Sequence, residues 1–272
     1  MCRILFWNVK RKDLTDLVCD LALETNADIV VLNESSAPEQ ATLGELKKRV
    51  AKTFQFPSSN SADRFHCFTR FKSYGLTEIH KGFRTSIRTL HIQNTTYLLG
   101  FVHGVDIRNY DAETRQSFAE ELGDEIRFVK SEQKNNRLIL VGDFNMNPFD
   151  RGMNLARGLN AMSSRDCVAA GQRKYLTKKY DFYYNPMWSH LGDNSSGPPG
   201  TAYDTSNQGI YGWSMLDQVI VNQSIVEIFD SVEILTGSKT HRLADARGRP
   251  DGEAYSDHFP ILVKLKTNGG NQ

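Results

Sequence analysis

Short aliphatic runs that stop at polar side chains recur along the chain. The sharpest is Leu138-Ile139-Leu140-Val141-Gly142-Asp143-Phe144-Asn145. It predicts a buried strand whose end reaches the rim of a sheet. Alternation sends Asp143 and Asn145 to one side, with Phe144 turned the other way. Gly142 leaves room for a close backbone approach or a bulge. Asn147-Pro148 closes the segment as a turn. Ile4 to Trp7 reads as a similar strand ending at Asn8, and Asp13 is placed to cap the helix that follows. There Leu14, Leu17, Val18 and Leu21 recur at helical spacing. Asp28 to Leu32 is a second apolar strand, closing on Asn33 and Glu34. Strand, amphipathic helix and strand make a βαβ-like opening.

The pattern predicts a second helix over Gln40–Lys52, with Glu45, Lys47, Lys48 and Arg49 on a solvated face. Short β runs follow at Phe65–Phe71, Leu76–His80, Thr85–Ile92 and Thr96–Val102, separated by Gly and Asn turns as in an antiparallel meander. Ala112–Lys130 places Phe118, Leu122, Ile126 and Val129 on one helical face. Beyond the central strand, Met153–Leu159 reads as a short helix. Met215–Val221, Ser231–Leu235 and Phe259–Leu265 read as strands. Two long polar stretches, Gly192–Gly212 and Thr236–Tyr255, lack periodicity, and loops of that length in a compact domain are usually functional or mobile. No short repeat or linker divides the chain, and strand ends carry polar residues in both halves. The expectation is one domain over residues 1–266 with a flexible tail at 267–272. Its fold class is α/β, a four-layer α/β/β/α sandwich of two mixed, mainly antiparallel sheets flanked by helices.

Composition excludes more than it identifies. With 39% hydrophobic and 24% charged residues the chain is an ordinary globular protein, not a disordered one. A net charge of +1 gives no global field toward nucleic acid or anionic membrane, though a local basic patch remains open. Cys2, Cys19, Cys67 and Cys167 form no CxxC pair and read as free thiols in a reducing compartment, with Cys19 in the core. The opening residues resemble a strand and not a signal peptide, and no run reaches membrane-spanning length. These features point to the cytoplasm, with no membrane association and no obligate protein partner.

The residues able to carry chemistry sit at predicted strand ends: Asn8, Glu34, His103, the Asp143/Asn145 pair, Asp217 and the Asp257/His258 pair. Singly, each has an ordinary explanation as a turn, surface or half-buried residue. Asp217 is the least ordinary, because Leu216 and Val219 surround it with apolar sequence and a buried lone carboxylate is costly unless paired. Their joint placement is what calls for an explanation.

Trp7-Asn8, Asn33-Glu34, Val102-His103, Gly142-Asp143-Phe144-Asn145, Leu216-Asp217-Gln218-Val219 and Ser256-Asp257-His258-Phe259-Pro260-Ile261 resemble, in order, the motifs of the endonuclease/exonuclease/phosphatase superfamily. That superfamily includes deoxyribonucleases, abasic-site endonucleases, deadenylases, inositol-phosphate 5-phosphatases and sphingomyelinases. Two positions depart from its pattern: Asn33 stands where Gln is usual, and Gly104 follows His103 where Leu is common. The resemblance implies Mg²⁺ or Mn²⁺, hard cations that take oxygen ligands. Glu34 would be the direct ligand, with Asn8 and Asp257 completing or supporting the site. His258 would act as general base or hold the phosphate, and Asp217 would fix its tautomer. Asp143 would position the nucleophile or the leaving group. Asn145 would donate to a phosphoryl oxygen, and His103 would contact phosphate or protonate the leaving oxygen.

The expected activity is metal-dependent hydrolysis of phosphoester bonds by a nuclease or nucleotide phosphodiesterase, with nucleic acid or another phosphoester as substrate. A phosphomonoesterase, a lipid-headgroup phosphodiesterase and an inactive binding member of the fold are the rivals. Arg173 to Tyr180 interleaves basic residues with tyrosines, either to grip a nucleic-acid strand or as a solvated hairpin or helix face. Lys239, His241, Arg242, Arg247 and Arg249 in the last long loop are candidates to meet substrate phosphates, while Asp245, Asp251 and Glu253 lie among them and keep the net field small. Trp188 and Trp213 either pin the Gly/Pro loop or stack on a base.

Overall fold

The computed structural model describes residues 1–58, 64–193, 196–205 and 212–266; the tail expected at 267–272 lies outside them. The chain opens with β1 (Cys2–Asn8), α1 (Thr15–Glu24), β2 (Ile29–Asn33), α2 (Glu39–Arg49) and β3 (Phe65–Thr69). Next come β4 (Leu76–Lys81), β5 (Thr85–Ile92), β6 (Thr95–His103), α3 (Ala112–Gln133), β7 (Leu138–Asp143) and α4 (Arg151–Asn154). Short elements follow: β8 (Ala161–Met162), α5 (Arg165–Ala169), β9 (Gln172–Tyr175), β10 (Lys178–Asp181) and β11 (Tyr183–Tyr184). The chain ends with β12 (Ala202–Asp204), β13 (Gly212–Ser214), β14 (Asp217–Asn222), β15 (Phe229–Ile234) and β16 (Ile261–Leu265).

Among the described residues, one sheet has the order β15-β16-β1-β2-β3 and the other β4-β5-β6-β7-β14-β11-β8. Two parallel crossovers, β1-α1-β2 and β6-α3-β7, are embedded in otherwise mainly antiparallel pairing. The strands read as unbroken apolar runs because both faces are covered. Ile4 and Phe6 of β1 meet Ile139 and Val141 of β7 in the core between the sheets, while Leu5 and Trp7 pack outward with Leu17, Val18 and Leu21 of α1. Leu138 and Leu140 face outward onto Leu122 and Ile126 of α3. Each such fully buried aliphatic side chain contributes about 1.5–3 kcal/mol. The result is a helix–sheet–sheet–helix sandwich.

Several expectations shift. Phe65–Thr69 does not join the meander: it pairs antiparallel with β2, so only β4, β5 and β6 form one. The helix expected over Met153–Leu159 covers only Arg151–Asn154, because the amides of Leu159 and Asn160 turn back to the carbonyls of Gly152 and Leu155. The strand expected over Met215–Val221 starts at Asp217, since the amide of Met215 is taken by the Asn147 side chain and those of Leu216 and Asp217 by Thr201. Asp13 accepts the Thr15 amide at 3.1 Å, at the start of α1. The Arg173–Tyr180 stretch is the β9–β10 hairpin. It leads into β11, which pairs with Val221 and Asn222, the end of β14 away from Asp217.

Candidate active site

The same alternation that builds the core delivers the polar residues. Ile4, Phe6, Ile29, Val31, Leu99, Phe101, Ile139, Val141, Val219 and Val221 all face the partner sheet. Two residues beyond the last of these in β1, β2, β6 and β7, the same face carries Asn8, Asn33, His103 and Asp143, and two residues before Val219 in antiparallel β14 it carries Asp217. Register aligns them. Parallel pairing sets His103 opposite Asp143 and Asn8 opposite Asn33, and antiparallel pairing sets Asp217 opposite Asp143. Where the apolar run stops, the space between the sheets opens into a cleft of about 530 Å³. Asn8, Glu34, His103, Asp143, Asn145, Asp257 and His258 all line it, with Asp217 buried behind His258.

Glu34 and Asn145 hold positive φ, 53° and 50°, a conformation rare outside glycine. In each case it turns the chain just past a strand end, and such strain concentrates at functional sites. Phe144 enters the outer core while Asn145 returns to the cleft. Close backbone approach explains both neighbouring glycines. A Cβ on Gly142 would stand 2.0 Å from the Val102 carbonyl oxygen, and one on Gly104 would stand 2.1 Å from that of Phe144. The His-Gly departure at residue 104 is therefore a packing requirement.

Asp143 is held by three N–H donors. Oδ2 accepts from Asn8 Nδ2 at 3.0 Å and Asn145 Nδ2 at 3.2 Å, and Oδ1 accepts the Asn145 amide at 2.9 Å. Asn145 Nδ2 also reaches the Gly104 carbonyl at 3.3 Å. Its hydrogens thus orient Asp143 and the His103–Gly104 turn in this structure. His103 Nε2 lies 3.3 Å from Glu34 Oε1. That hydrogen bond, opposed by burial and aided by the charge of Arg11, leaves the Glu34 carboxyl below the usual carboxylate range.

Across the cleft, His258 Nδ1 lies 2.7 Å from Asp217 Oδ2, and Asp217 is completely buried. Burial works against charge on both groups. The carboxylates of Asp217, Asp143 and Asp257 outweigh it at the imidazole, which is raised to about 10. Burial raises the Asp217 carboxyl as well, so the two groups hold a proton between them along the short Nδ1–Oδ2 contact. Asp217, Asp143 and His258 bring ligand atoms within 4.8 Å of one another, a spacing compatible with a metal ion. The Asp217–His258 hydrogen bond already occupies part of that donor set. The all-oxygen group of Glu34, Asn8 and Asp257 fits a hard divalent cation better. Positive charge is already drawn there: Lys10 Nζ is 3.0 Å from Asp257 Oδ2, and Arg11 Nε is 3.7 Å from Glu34 Oε2.

Four residues that complete this frame did not stand out in the sequence. Thr201 Oγ1 accepts the amides of Leu216 and Asp217 at 3.1 and 3.0 Å, and its carbonyl accepts the Phe259 amide at 2.7 Å. Ser256 Oγ donates to the Asn8 carbonyl at 2.6 Å and accepts the His258 amide at 3.2 Å. Trp7 Nε1 donates to the His258 carbonyl at 2.8 Å. Tyr203 lines the cleft. Only the placement of Trp7 and Ser256 within their motifs carried a hint. Trp213 stacks on Phe259 and Trp188 packs edge-on to Phe149, contacts that hold the surrounding loops while Trp213 keeps part of its surface exposed.

A two-sheet sandwich with acidic, amide and imidazole groups gathered where its strands end is the framework of a large class of proteins. The sequence profile of the Endonuclease/Exonuclease/phosphatase family matches residues 5–258, and the chain belongs to that family. No curated protein sequence matches it. Solved structures similar in fold include an endonuclease/exonuclease/phosphatase family protein from Bacteroides thetaiotaomicron, with 13% identity, TM-score 0.59, and coverage of 97% of this chain and 94% of that one. A mannosyl-6-phosphatase from the same organism aligns with 12% identity and TM-score 0.58, covering 98% and 100%. The human Nocturnin catalytic domain aligns with 16% identity and TM-score 0.57, covering 97% and 94%.

Proposed function

We propose that this chain is a divalent-metal-dependent phosphoesterase that hydrolyses phosphodiesters of nucleic acids or nucleotides. The observation that carries the reading is the convergence in one cleft of the Asp217–His258 pair, the Asn8–Asp143–Asn145 cluster and the Glu34–His103 pair. Glu34, Asn8 and Asp257 would hold Mg²⁺ or Mn²⁺, which when bound supplies electrostatic stabilisation of the charge that builds on phosphoryl oxygens. Hydrolysis forms a bond from water oxygen to phosphorus and breaks the bond to the leaving oxygen. The water proton needs an acceptor at the cleft wall. Asp143, an acceptor held in place by three N–H groups, suits that role. His258, hydrogen-bonded to buried Asp217 and lining the cleft, takes the second of its two expected roles, donating a hydrogen bond to the phosphoryl group. Asp217 fixes the ring and its charge. Asn145 acts by orienting Asp143, and His103 by holding Glu34.

One feature supports a second reading. Lys10, Arg11 and Arg108 all line the cleft, and three cations also suit the dianion of a phosphomonoester. A panel of DNA, RNA, nucleotides, inositol phosphates, sugar phosphates and sphingomyelin separates the two. Activity on diesters that is abolished by EDTA, restored by Mg²⁺ or Mn²⁺, and lost in Glu34→Ala and His258→Ala supports the proposal. Turnover that survives both substitutions overturns it, and no turnover on any substrate with tight partner binding supports a binding module instead. The reading includes residues 1–266 as one functional unit in the cytoplasm, supported by four unpaired cysteines of which three are buried. Among the described residues no helix is long and apolar enough to cross a membrane.

A further inference from the structure

We propose that a second groove, beside the catalytic cleft and formed by Trp213, Pro198, Pro199, Lys239, Arg242 and Arg247, binds the single-stranded nucleic-acid segment that runs on from the scissile phosphate. The proposal rests on the phosphodiesterase reading above and names the part of the substrate that the catalytic cleft does not hold.

The groove is open to solvent with a volume of about 950 Å³, and no Asp or Glu is among the described residues that line it. The acids nearby are already engaged. Asp245 takes the Arg249 guanidinium at 2.8 and 3.0 Å together with the Arg247 amide at 2.8 Å. Glu24 accepts the Lys239 amide at 2.9 Å, and Asp20 pairs with Arg49 and His241. The side-chain cations of Lys239, Arg242 and Arg247 are exposed, and among the described residues none has a carboxylate partner. The loop that displays them is held in shape by buried Leu243 and by backbone bridges between Gly237 and Arg242 and between Ala244 and Pro250. The charges are thus presented by an ordered loop, which lowers the entropy lost on binding.

Trp213 adds an aromatic face. It stacks on Phe259 with ring centroids 6.4 Å apart, meets Tyr203 edge-on at 5.2 Å, and remains half-buried at the groove wall. Cations that track a backbone beside an aromatic platform are the sequence-tolerant means of holding a single strand. Continuity with the catalytic cleft comes from the β12–β13 ribbon. Tyr203 pairs with Trp213 across it, yet Tyr203 lines the cleft and Trp213 lines the groove. Paired strands stand only about 4.8 Å apart. His258 bridges Ala202 of this ribbon, so for a polymer with one phosphate against His258 the groove lies within reach across the ribbon. Pro198 is buried and Pro199 and Trp213 are half-buried, so these apolar side chains do not project as a membrane anchor would, which favours a strand over a membrane.

The test is fluorescence anisotropy with a labelled oligothymidylate of about twelve nucleotides, a length within single-strand site sizes, in EDTA so that no cleavage occurs. Arg242→Glu/Arg247→Glu is expected to weaken binding at least about tenfold. It should also reduce the slope of log affinity against log salt by about 1.4, two phosphate contacts at about 0.7 each. Hydrolysis of bis(p-nitrophenyl) phosphate with Mg²⁺ should change less than about twofold, and Arg242→Gln/Arg247→Gln should show a smaller loss at unchanged thermal stability. Unchanged oligonucleotide affinity, or a loss seen only against phosphatidylserine vesicles, overturns the proposal. If the phosphodiesterase reading itself fails, the wild-type protein hydrolyses no diester, while the binding comparison still decides whether the groove holds the strand.

Discussion

His258 Nδ1 lies 2.7 Å from Oδ2 of Asp217, a carboxylate with no exposed surface, so each group neutralises a charge the other could not carry alone. Replacing Asp217 by Asn should remove the main attraction that raises the imidazole to about 10 and return it toward its ordinary value of 6.5 or below. NMR titration of the His258 ring in metal-free protein measures this directly. An unchanged titration would mean that Asp217 does not set the charge of His258.

The same pair predicts a pH-dependent stability. Because the folded pKa of His258, about 10, exceeds its unfolded value of 6.5, the imidazole's contribution is complete below pH 6.5 and is lost as pH rises toward 10. Urea unfolding of metal-free protein should show this decline, with a shallower one in Asp217→Asn. Asp217→Ala, which leaves a buried partner unpaired, should cost about 3–5 kcal/mol.

Asn145 donates to Asp143 at 3.2 Å, so Asn145→Asp would set two carboxylates against each other. Turnover should fall by about 10² or more, the scale of losing one positioned donor. The melting temperature should move by less than about 5 °C, equivalent to about 1–2 kcal/mol. Equal loss of activity and stability would make Asn145 structural.

Thr201→Val keeps shape but removes the acceptor for the Leu216 and Asp217 amides. Two orphaned buried donors should cost about 2 kcal/mol or more in chemical denaturation. Thr201→Ser should restore most of that stability together with turnover.

Glu34 predicts a metal-linked stability. In wild-type protein, Mg²⁺ at about a hundred times its dissociation constant should stabilise by about 2.7 kcal/mol. Glu34→Gln should abolish the shift in a thermal melt and the binding heat in calorimetry. A shift that persists would place the cation elsewhere, with Asp143, Asp217 and His258 as the other donor group.

Gly104 and Gly142 show how far local sequence can be read. That Gly142 permits a close approach was legible, because a glycine at the end of an aliphatic run has few other uses. Which backbone approaches was not, and the answer is Val102 on one side of β7. Gly104 looked like a departure from a pattern and proves to be packed against Phe144. Asp217 was marked out by its apolar neighbours, and the partner that relieves its burial is 41 residues away.

Residue order by itself determined the strands, their two buried faces and the polar residues that end them. Alternation is a property of the chain, and it extends the face that carries Ile139 and Val141 to Asp143. Only the tertiary structure decided which of those ends meet. Register placed Asp217 and His103 opposite Asp143, and a left-handed turn brought Glu34 to His103. Thr201 and Ser256 acquired their roles from contacts across the fold, one of them spanning 248 residues. Such contacts leave no periodic trace, because a hydroxyl in a polar loop has the same local character whether it faces water or supports a buried carboxylate.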